Sequence, residues 1–596
     1  MGLRFPLAAV EFRQVPIDGH RSAVIAIHQG LLHQLETLEL ELLQALIRPA
    51  GDLDELADRL RARRWDDDGL TDLPSLCAGL VACGLLVETA RAVETWLGAN
   101  PTIPPPADPP PPLSALSWMT RDRPEAIARA LTAWQACVLA AGLPPPDCVI
   151  SDDSVTDPAA TRRVALGFAS QYPGRSYYLS RAWRQDFAAA LGADSAEPAA
   201  AAFAFGLSGM LPAGTYGANA NCLLLALGGR LFAMSDDDIL PEFRHRVDAR
   251  DGLAFQSAPD PSVIQPLADQ AELAGCGVAA TRPAFHAHQA YLGRPLRELL
   301  TSAGRLDLTG LRPHSLTRAA AAEARVVALC FHYWGDSGMN QARYLISGRR
   351  QLDDPEFDEA RYLVLRRSKL VFRAPRTDTI GGNAMLNGHL CLDARHRLPP
   401  FSPSGRNLDG LWGYCLATLQ PDHFMLYPLE AIHHAPLEAR QATDPRDYGW
   451  HPEMNSLLSW ALQDYLGNYA PLSDPYASLG TFLRDLGGRP QPELRAYLLE
   501  LASRLLFSTL DKLAGERRTW RGLPRAWAAD IEANIDSLEA ALTAPTLGLP
   551  AELKADPAAV GPYFRAFGGL LTAWPQLVAS AAQLAPDWLE RTLVKK

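Results

Sequence analysis

The 596-residue chain has no uninterrupted apolar run of about 18 residues, so no membrane-spanning helix is expected. It has no Lys/Arg-rich block, and its formal net charge of -11 disfavours non-specific nucleic-acid binding. Cysteine is sparse: nine residues at irregular spacing, with no C-x-x-C pair. That usage points to free thiols in a reducing cytoplasm, not to a disulfide framework or a zinc site. The motifs G-x-x-x-x-G-K-[ST], H-E-x-x-H and G-x-S-x-G are all missing, which removes the signatures of P-loop, zincin and α/β-hydrolase chemistry. The opening MGLRFPLAAVEFRQVP lacks a long apolar core after a basic region, so no secretory signal is expected. Pro6 stands where a myristoylation signal wants Ser or Thr.

What is present is globular: 48% hydrophobic and 21% charged residues. The length exceeds one ordinary core, which predicts several domains. The proline-rich stretch PTIPPPADPPPPL, residues 101–113, cannot join a sheet or helix interior. It sets the expected layout: a module over 1–98, a linker over 99–113, an α/β domain over 114–447 and a C-terminal all-α domain over 448–596. The first module reads as strands near 9–14 and 22–28 followed by helices, among them LHQLETLELELLQALI, GDLDELADRLRAR with an Asp cap, and LPSLCAGLVACGLLVET ending at Gly84. This pattern resembles the PqqD-type winged-helix recognition element of enzymes that modify ribosomally made peptides. The resemblance implies capture of a precursor peptide by strand addition. The alternative is a small helical domain that packs on its neighbour. The C-terminal helices have packing as their default role.

The α/β region carries the chemistry. LSWMTRDRPEAIARALTAW places Thr120 and Arg121 after a strand; PPPDCVISDDSVTD places Asp152 and Asp153 after the next. Parallel sheets bind ligands at this edge, where carboxylates can accept hydrogen bonds from a nucleoside. TYGANANCLLLALGGRLFAMSDDD then gives a helix containing Asn221 and an apolar strand ending in Asp236-Asp237-Asp238. Alone, the triplet is a solvated turn. As D-x-D on a strand end, Asp236 and Asp238 can both face one hard cation, Mn²⁺ or Mg²⁺. By strand alternation Asp237 is expected on the other side and tolerant of replacement.

The four blocks, in this order over about 120 residues, resemble the nucleotide-sugar half of family 2-like glycosyltransferases of the GT-A fold, a Rossmann-like α/β architecture. The resemblance implies that Thr120, Arg121, Asp152, Asp153, Asn221 and Asp236 hold a nucleotide diphosphate sugar, with UDP as the expected nucleotide. It implies that Asp236 and Asp238 hold the metal. Arg406-Asn407-Leu408-Asp409 matches the family's acidic motif with Leu408 in place of Glu, so only the acceptor-deprotonating role carries over, to Asp409; the alternative is a helix N-cap. His434, in YPLEAIHHAP, fits the third metal ligand better than His433; the alternative is a pair of surface histidines. Gly382, Asn383, Arg406 and Asn407 fall on the acceptor side. Gly335-Asp336-Ser337-Gly338 either lines the acceptor pocket or turns the chain. Arg175 and Arg181 can meet a phosphate or remain solvated. The implied reaction is metal-dependent sugar transfer with inversion to a peptide. The alternatives are a carbohydrate, lipid or antibiotic acceptor, or a non-catalytic nucleotide-sugar or peptide binder.

Overall fold

The computed structural model describes residues 3–595 except 28–30, 62, 64, 99–111, 194–196, 211–215, 259, 339–344, 347–356, 382–387, 439, 441–443, 445, 447–451, 469–472, 520–523, 545 and 551–556. Most of the expected linker therefore lies outside the described residues, as do Gly382 and Asn383.

The N-terminal module has a core of its own, built from Leu7, Val24, Leu42, Leu43, Leu56, Leu60 and Cys77. Strand β1 (Leu7–Ala9) pairs across the module with β5 (Leu86–Glu88), which lies beyond a three-stranded antiparallel meander of β2 (Phe12–Pro16), β3 (Arg21–Ala26) and β4 (Leu31–Glu36). Short helices follow the meander, among them Thr37–Ala45, Leu53–Arg61 and Leu73–Ala82. Asp52 accepts the Glu55 N–H at 2.8 Å and caps the second helix as expected. The expected helix at 32–36 is instead β4. Its six residues register fully with β3, and pairing overrides helical propensity.

The central sheet holds β6 (Ala115–Thr120), β7 (Asp147–Asp152), β8 (Ser176–Leu179), β9 (Leu231–Asp236), β10 (Ile239–His245), β11 (Leu253–Gln256), β12 (Val263–Leu267), β13 (Val278–Ala279), β14 (Leu306–Asp307), β15 (Arg325–Asp336), β16 (Leu370–Ala374), β17 (Asp378–Gly381), β18 (His389–Asp393), β19 (His423–Tyr427), β20 (Glu430–His434) and β21 (Leu593–Lys595). Its main path runs β14-β11-β17-β19-β15-β18-β9-β6-β7-β8-β21. The fold is mixed α/β. Strands β9, β6, β7 and β8 are mutually parallel, and β18 runs antiparallel between β9 and β15.

Alternation divides the sheet's side chains between two cores. Leu116, Trp118, Leu231 and Ala233 face one side with Ile127, Leu131 and Trp134 of helix Pro124–Ala141. Ala115, Met119, Phe232 and Met234 face the other, where Leu457, Leu479, Phe564 and Trp574 of the C-terminal helices lie. The C-terminal helices are thus one layer of the central body, and β21 extends its sheet beside β8. The expected boundary near 448 separates no cores, because one cluster joins the sheet, helices Arg181–Ala193, Tyr216–Ala226 and Leu408–Leu419, and the C-terminal helices. Helices Pro475–Gly488 and Val560–Glu590 meet along a glycine seam. A Cβ on Gly480 would lie 2.7 Å from Gly568 O, and one on Gly487 2.5 Å from Gly561 O. No helix among the described residues is long and apolar enough to cross a membrane.

Candidate functional site

Strand direction gathers the polar residues. β6, β7 and β9 run parallel; β15 joins them by two successive antiparallel steps through β18, and β20 runs parallel to β15. Five carboxyl ends therefore open on one edge. They carry Thr120–Arg123, Asp152–Ser154, Asp236–Asp238, Asp336 and His434.

The first two turns are stitched together. Asp122, at φ 53°, accepts the Val155 and Thr156 N–H groups at 2.9 and 2.7 Å and donates its own N–H to Ser154 Oγ at 2.8 Å. Asp152 is buried and fully engaged. One oxygen accepts from Ser154 N and Oγ, the other from Tyr178 OH at 2.6 Å. Asp153 is buried against Arg184, with Arg121 at 3.8 Å and Arg181 at 3.9 Å. Arg121 and Arg181 keep about two-fifths of their side-chain surface exposed, so they present positive charge to the edge.

Asn221 is not at the edge, contrary to expectation. It is fully buried, donates to Ala204 O at 3.0 Å and Phe401 O at 2.9 Å, and accepts the Phe401 N–H at 2.8 Å. Asn219 is the site-side residue of helix Tyr216–Ala226: its Oδ1 accepts from Ser151 and Arg184. Positions two apart on a helix point in nearly opposite directions, so only one of the pair can face the site. The other clamps the loop 398–405. Gly217 does the same by close approach, since a Cβ there would lie 1.8 Å from Ser402 O. From the C-terminal layer, Trp574 Nε1 donates to Leu398 O at 2.7 Å, Tyr563 OH lies 2.7 Å from Ser402 Oγ, and Asn455 Nδ2 donates to Ser404 O and Arg406 O.

That loop delivers Asp409. Asn407, at φ 58°, precedes helix Leu408–Leu419 and donates its side-chain amide to Ser456 Oγ. Asn407 is the residue at the cap position, so Asp409 lies inside the first turn, with its Oδ1 accepting the Gly410 N–H at 3.0 Å. Asp409 is close enough to Asp236 to raise its pKa. Arg406 and Asn407 are exposed.

The triplet itself divides differently from the expectation. The strand ends at Asp236, so alternation does not continue to Asp237. Asp237 is buried, accepts Thr120 Oγ1 at 2.7 Å and Arg123 Nη1 at 2.5 Å, and its two bonded partners make it a poor candidate for free replacement. Arg123 Nη2 donates to Asp238 Oδ2 at 3.0 Å, and Arg440 Nη2 donates to the same oxygen at 3.3 Å. Burial raises Asp236 well above the usual carboxylate range, with Asp238, Asp237 and Asp409 adding to it. Burial pushes Asp237 up to about 6 against the pull of Arg123. Burial also opposes ionisation of Asp238, but His434 and Arg123 hold it well below the ordinary range.

His434 Nδ1 lies 2.6 Å from Asp336 O, and a carbonyl accepts, so Nδ1 carries the proton. Its Nε2 lies 3.5 Å from Asp238 Oδ1. Among the described residues, the ligand atoms of Asp236, Asp238 and His434 do not all lie within 4.8 Å of one another, so the expected metal trio is not converged here. His433 faces away, stacked on Trp334 at 3.8 Å. Arg175 is also elsewhere, paired with Glu590 at the β21 edge. Asp336 joins the site through Arg440 at 3.9 Å and accepts the Gly338 N–H, so the G-D-S-G turn belongs to it.

Arg123, Arg184, Asn219 and Arg440 were not singled out by the sequence. The available signal was the surplus of carboxylates, which requires guanidinium partners when buried. Comparison with protein-family models and with curated proteins finds no match for the chain.

Proposed function

We propose that the protein is a metal-dependent, inverting glycosyltransferase of the GT-A type, moving a sugar from a UDP-sugar to a ribosomally made peptide. One observation carries the reading: His434 Nε2 lies 3.5 Å from Asp238 Oδ1 at the sheet edge that also carries Asp236. The parallel β8-β7-β6-β9 order, with antiparallel β18 beyond it, supports that fold. Bound at Asp236, Asp238 and His434, Mn²⁺ or Mg²⁺ would offset charge on the diphosphate leaving group. Arg123 fixes the two carboxylates that follow Asp236. Arg121 and Arg181 face the anionic donor. Asp409 takes the acceptor proton as general base, and attack from the face opposite the nucleotide inverts the anomeric carbon. In the N-terminal module the edge strand β4 exposes Leu31 and Leu32, which suits an added peptide strand. The nine free cysteines fit a reducing cytoplasm.

Calorimetric titration with UDP tests the reading. Binding is expected with Mn²⁺ and lost with EDTA or in Asp238→Asn. Asp409→Asn is expected to keep that binding and lose transfer by about 10²–10⁴-fold. Failure of UDP and every other nucleoside diphosphate to bind with any divalent ion would overturn it.

A further inference from the structure

Behind the acidic edge lies a second group of ligand-type side chains. Strand β18 begins with His389 and carries Cys391 two residues on, so both side chains project from one face of the sheet. Helix His286–Tyr291 brings His288 against them. One ligand atom from each of the three lies within 4.8 Å of the others. All three residues are buried: His288 is 2% exposed, and His389 and Cys391 are 0% exposed.

The surroundings are aromatic. Trp134 stacks on His389 at 5.0 Å, Phe331 stacks on His288 at 5.5 Å, and Phe285 lies 5.4 Å from His288. Such a pocket offers polar groups little. Neither ring nitrogen of His288 has a hydrogen-bond partner of ordinary geometry among the described residues. Burying an imidazole in that state is costly, and apolar side chains would fill the space without the cost. His389 is differently placed. Its Nδ1 lies 2.6 Å from Ser235 Oγ, and its Nε2 lies 3.6 Å from Cys391 Sγ. With the Nδ1 proton given to Ser235, the Nε2 lone pair points at the centre of the group.

We propose that His288, His389 and Cys391 form a buried structural site for one soft or borderline transition-metal ion, Zn²⁺ or Cu⁺. Two imidazoles and a thiolate select this class over the hard ions proposed for the edge site. On binding, the Cys391 S–H bond breaks, a sulfur–metal bond forms and the proton leaves to solvent. The ligands come from segments about a hundred residues apart, so no short Cys/His motif announces them. Ser235 directly precedes Asp236, and β9 pairs with β18 through Ser235 and His389. The ion therefore braces the strand that presents the triplet, and ties helix His286–Tyr291 to it.

The test uses the full-length protein, grown with zinc and copper and dialysed against EDTA. Elemental analysis is expected to find one retained zinc or copper ion per chain, kept in Asp238→Asn and lost in Cys391→Ala. The element found distinguishes the two ions. A second measurement guards against misfolding of the variant. Wild-type protein refolded with Co²⁺ is expected to show a thiolate-to-cobalt charge-transfer band in the near ultraviolet. Wild-type protein that retains no ion and shows no such band overturns the proposal. So does an ion lost in Asp238→Asn but kept in Cys391→Ala.

Discussion

Asp237 and His423 show what burial does to single side chains. Asp237 accepts from Thr120 and Arg123, so its replacements are expected to differ by what they leave unpaired. Asparagine keeps an acceptor for Thr120; alanine keeps none. Asp237→Ala should be less stable than Asp237→Asn by about 1–3 kcal/mol in urea denaturation. His423 is 6% exposed, and burial pushes its imidazole from 6.5 down to about 4, with Asp422 opposing. The unfolded chain takes up a proton between those values that the folded chain refuses. Stability therefore falls as pH drops from about 6.5 to about 4, by about 3 kcal/mol in total. His423→Gln should flatten that slope in denaturation midpoints measured across the window. At this scale the sequence was readable where a residue type has one use. His434 could be preferred over His433 from its H-x-P context, and the two histidines do point apart. Asp237 was misread because alternation was extended one residue past the strand's end.

At the scale of elements, the G-A-N-A-N helix is a clamp as much as a wall of the site. Asn221 satisfies three backbone groups of other segments, and Gly217 admits the loop's backbone where a methyl group would collide. Asn221→Ala would leave those groups buried and unpaired. A loss of stability on the order of 3 kcal/mol is expected, seen as a lowered thermal midpoint. Transfer should fall further than nucleotide binding, because the loop leads to Asp409 and not to Asp238. The sequence revealed the strand-helix-strand unit formed by 115–120, 124–141 and 147–152 through a continuous apolar strand, a proline at the helix start and an acidic strand end. It concealed β4, since LLHQLE suits a helix as well as a strand and only its register with β3 decides.

For the whole molecule, the shared core governs. Leu457, Leu479, Phe564 and Trp574 share one cluster with Phe232 and Met234 of the sheet. A fragment of residues 448–596 made alone should not fold as a stable domain. A fragment ending at 447 should aggregate, because it bares apolar surface of helices Pro198–Ala204, Tyr216–Ala226 and Leu408–Leu419 that the C-terminal helices cover. Soluble, cooperatively unfolding fragments in both cases would contradict this. The helices themselves were legible from their spacing of apolar residues. Their attachment was not, because the same spacing serves a separate bundle or a layer on a sheet. Two glycine pairs, Gly480 with Gly568 and Gly487 with Gly561, bring the layer's helices into backbone contact. Glycine in a helix reads locally as weakness, and only the partner helix reveals its purpose.

The loop 398–405 has no regular secondary structure, yet its backbone is held from helix Tyr216–Ala226 on one side and helix Val560–Glu590 on the other. Ordinary loops open by themselves and exchange their amide protons quickly. This one can open only when both helices release it. The Phe401 amide, bonded to Asn221 Oδ1, is therefore expected to exchange with deuterium as slowly as the amides of β6 and β9, and only through unfolding of the whole body.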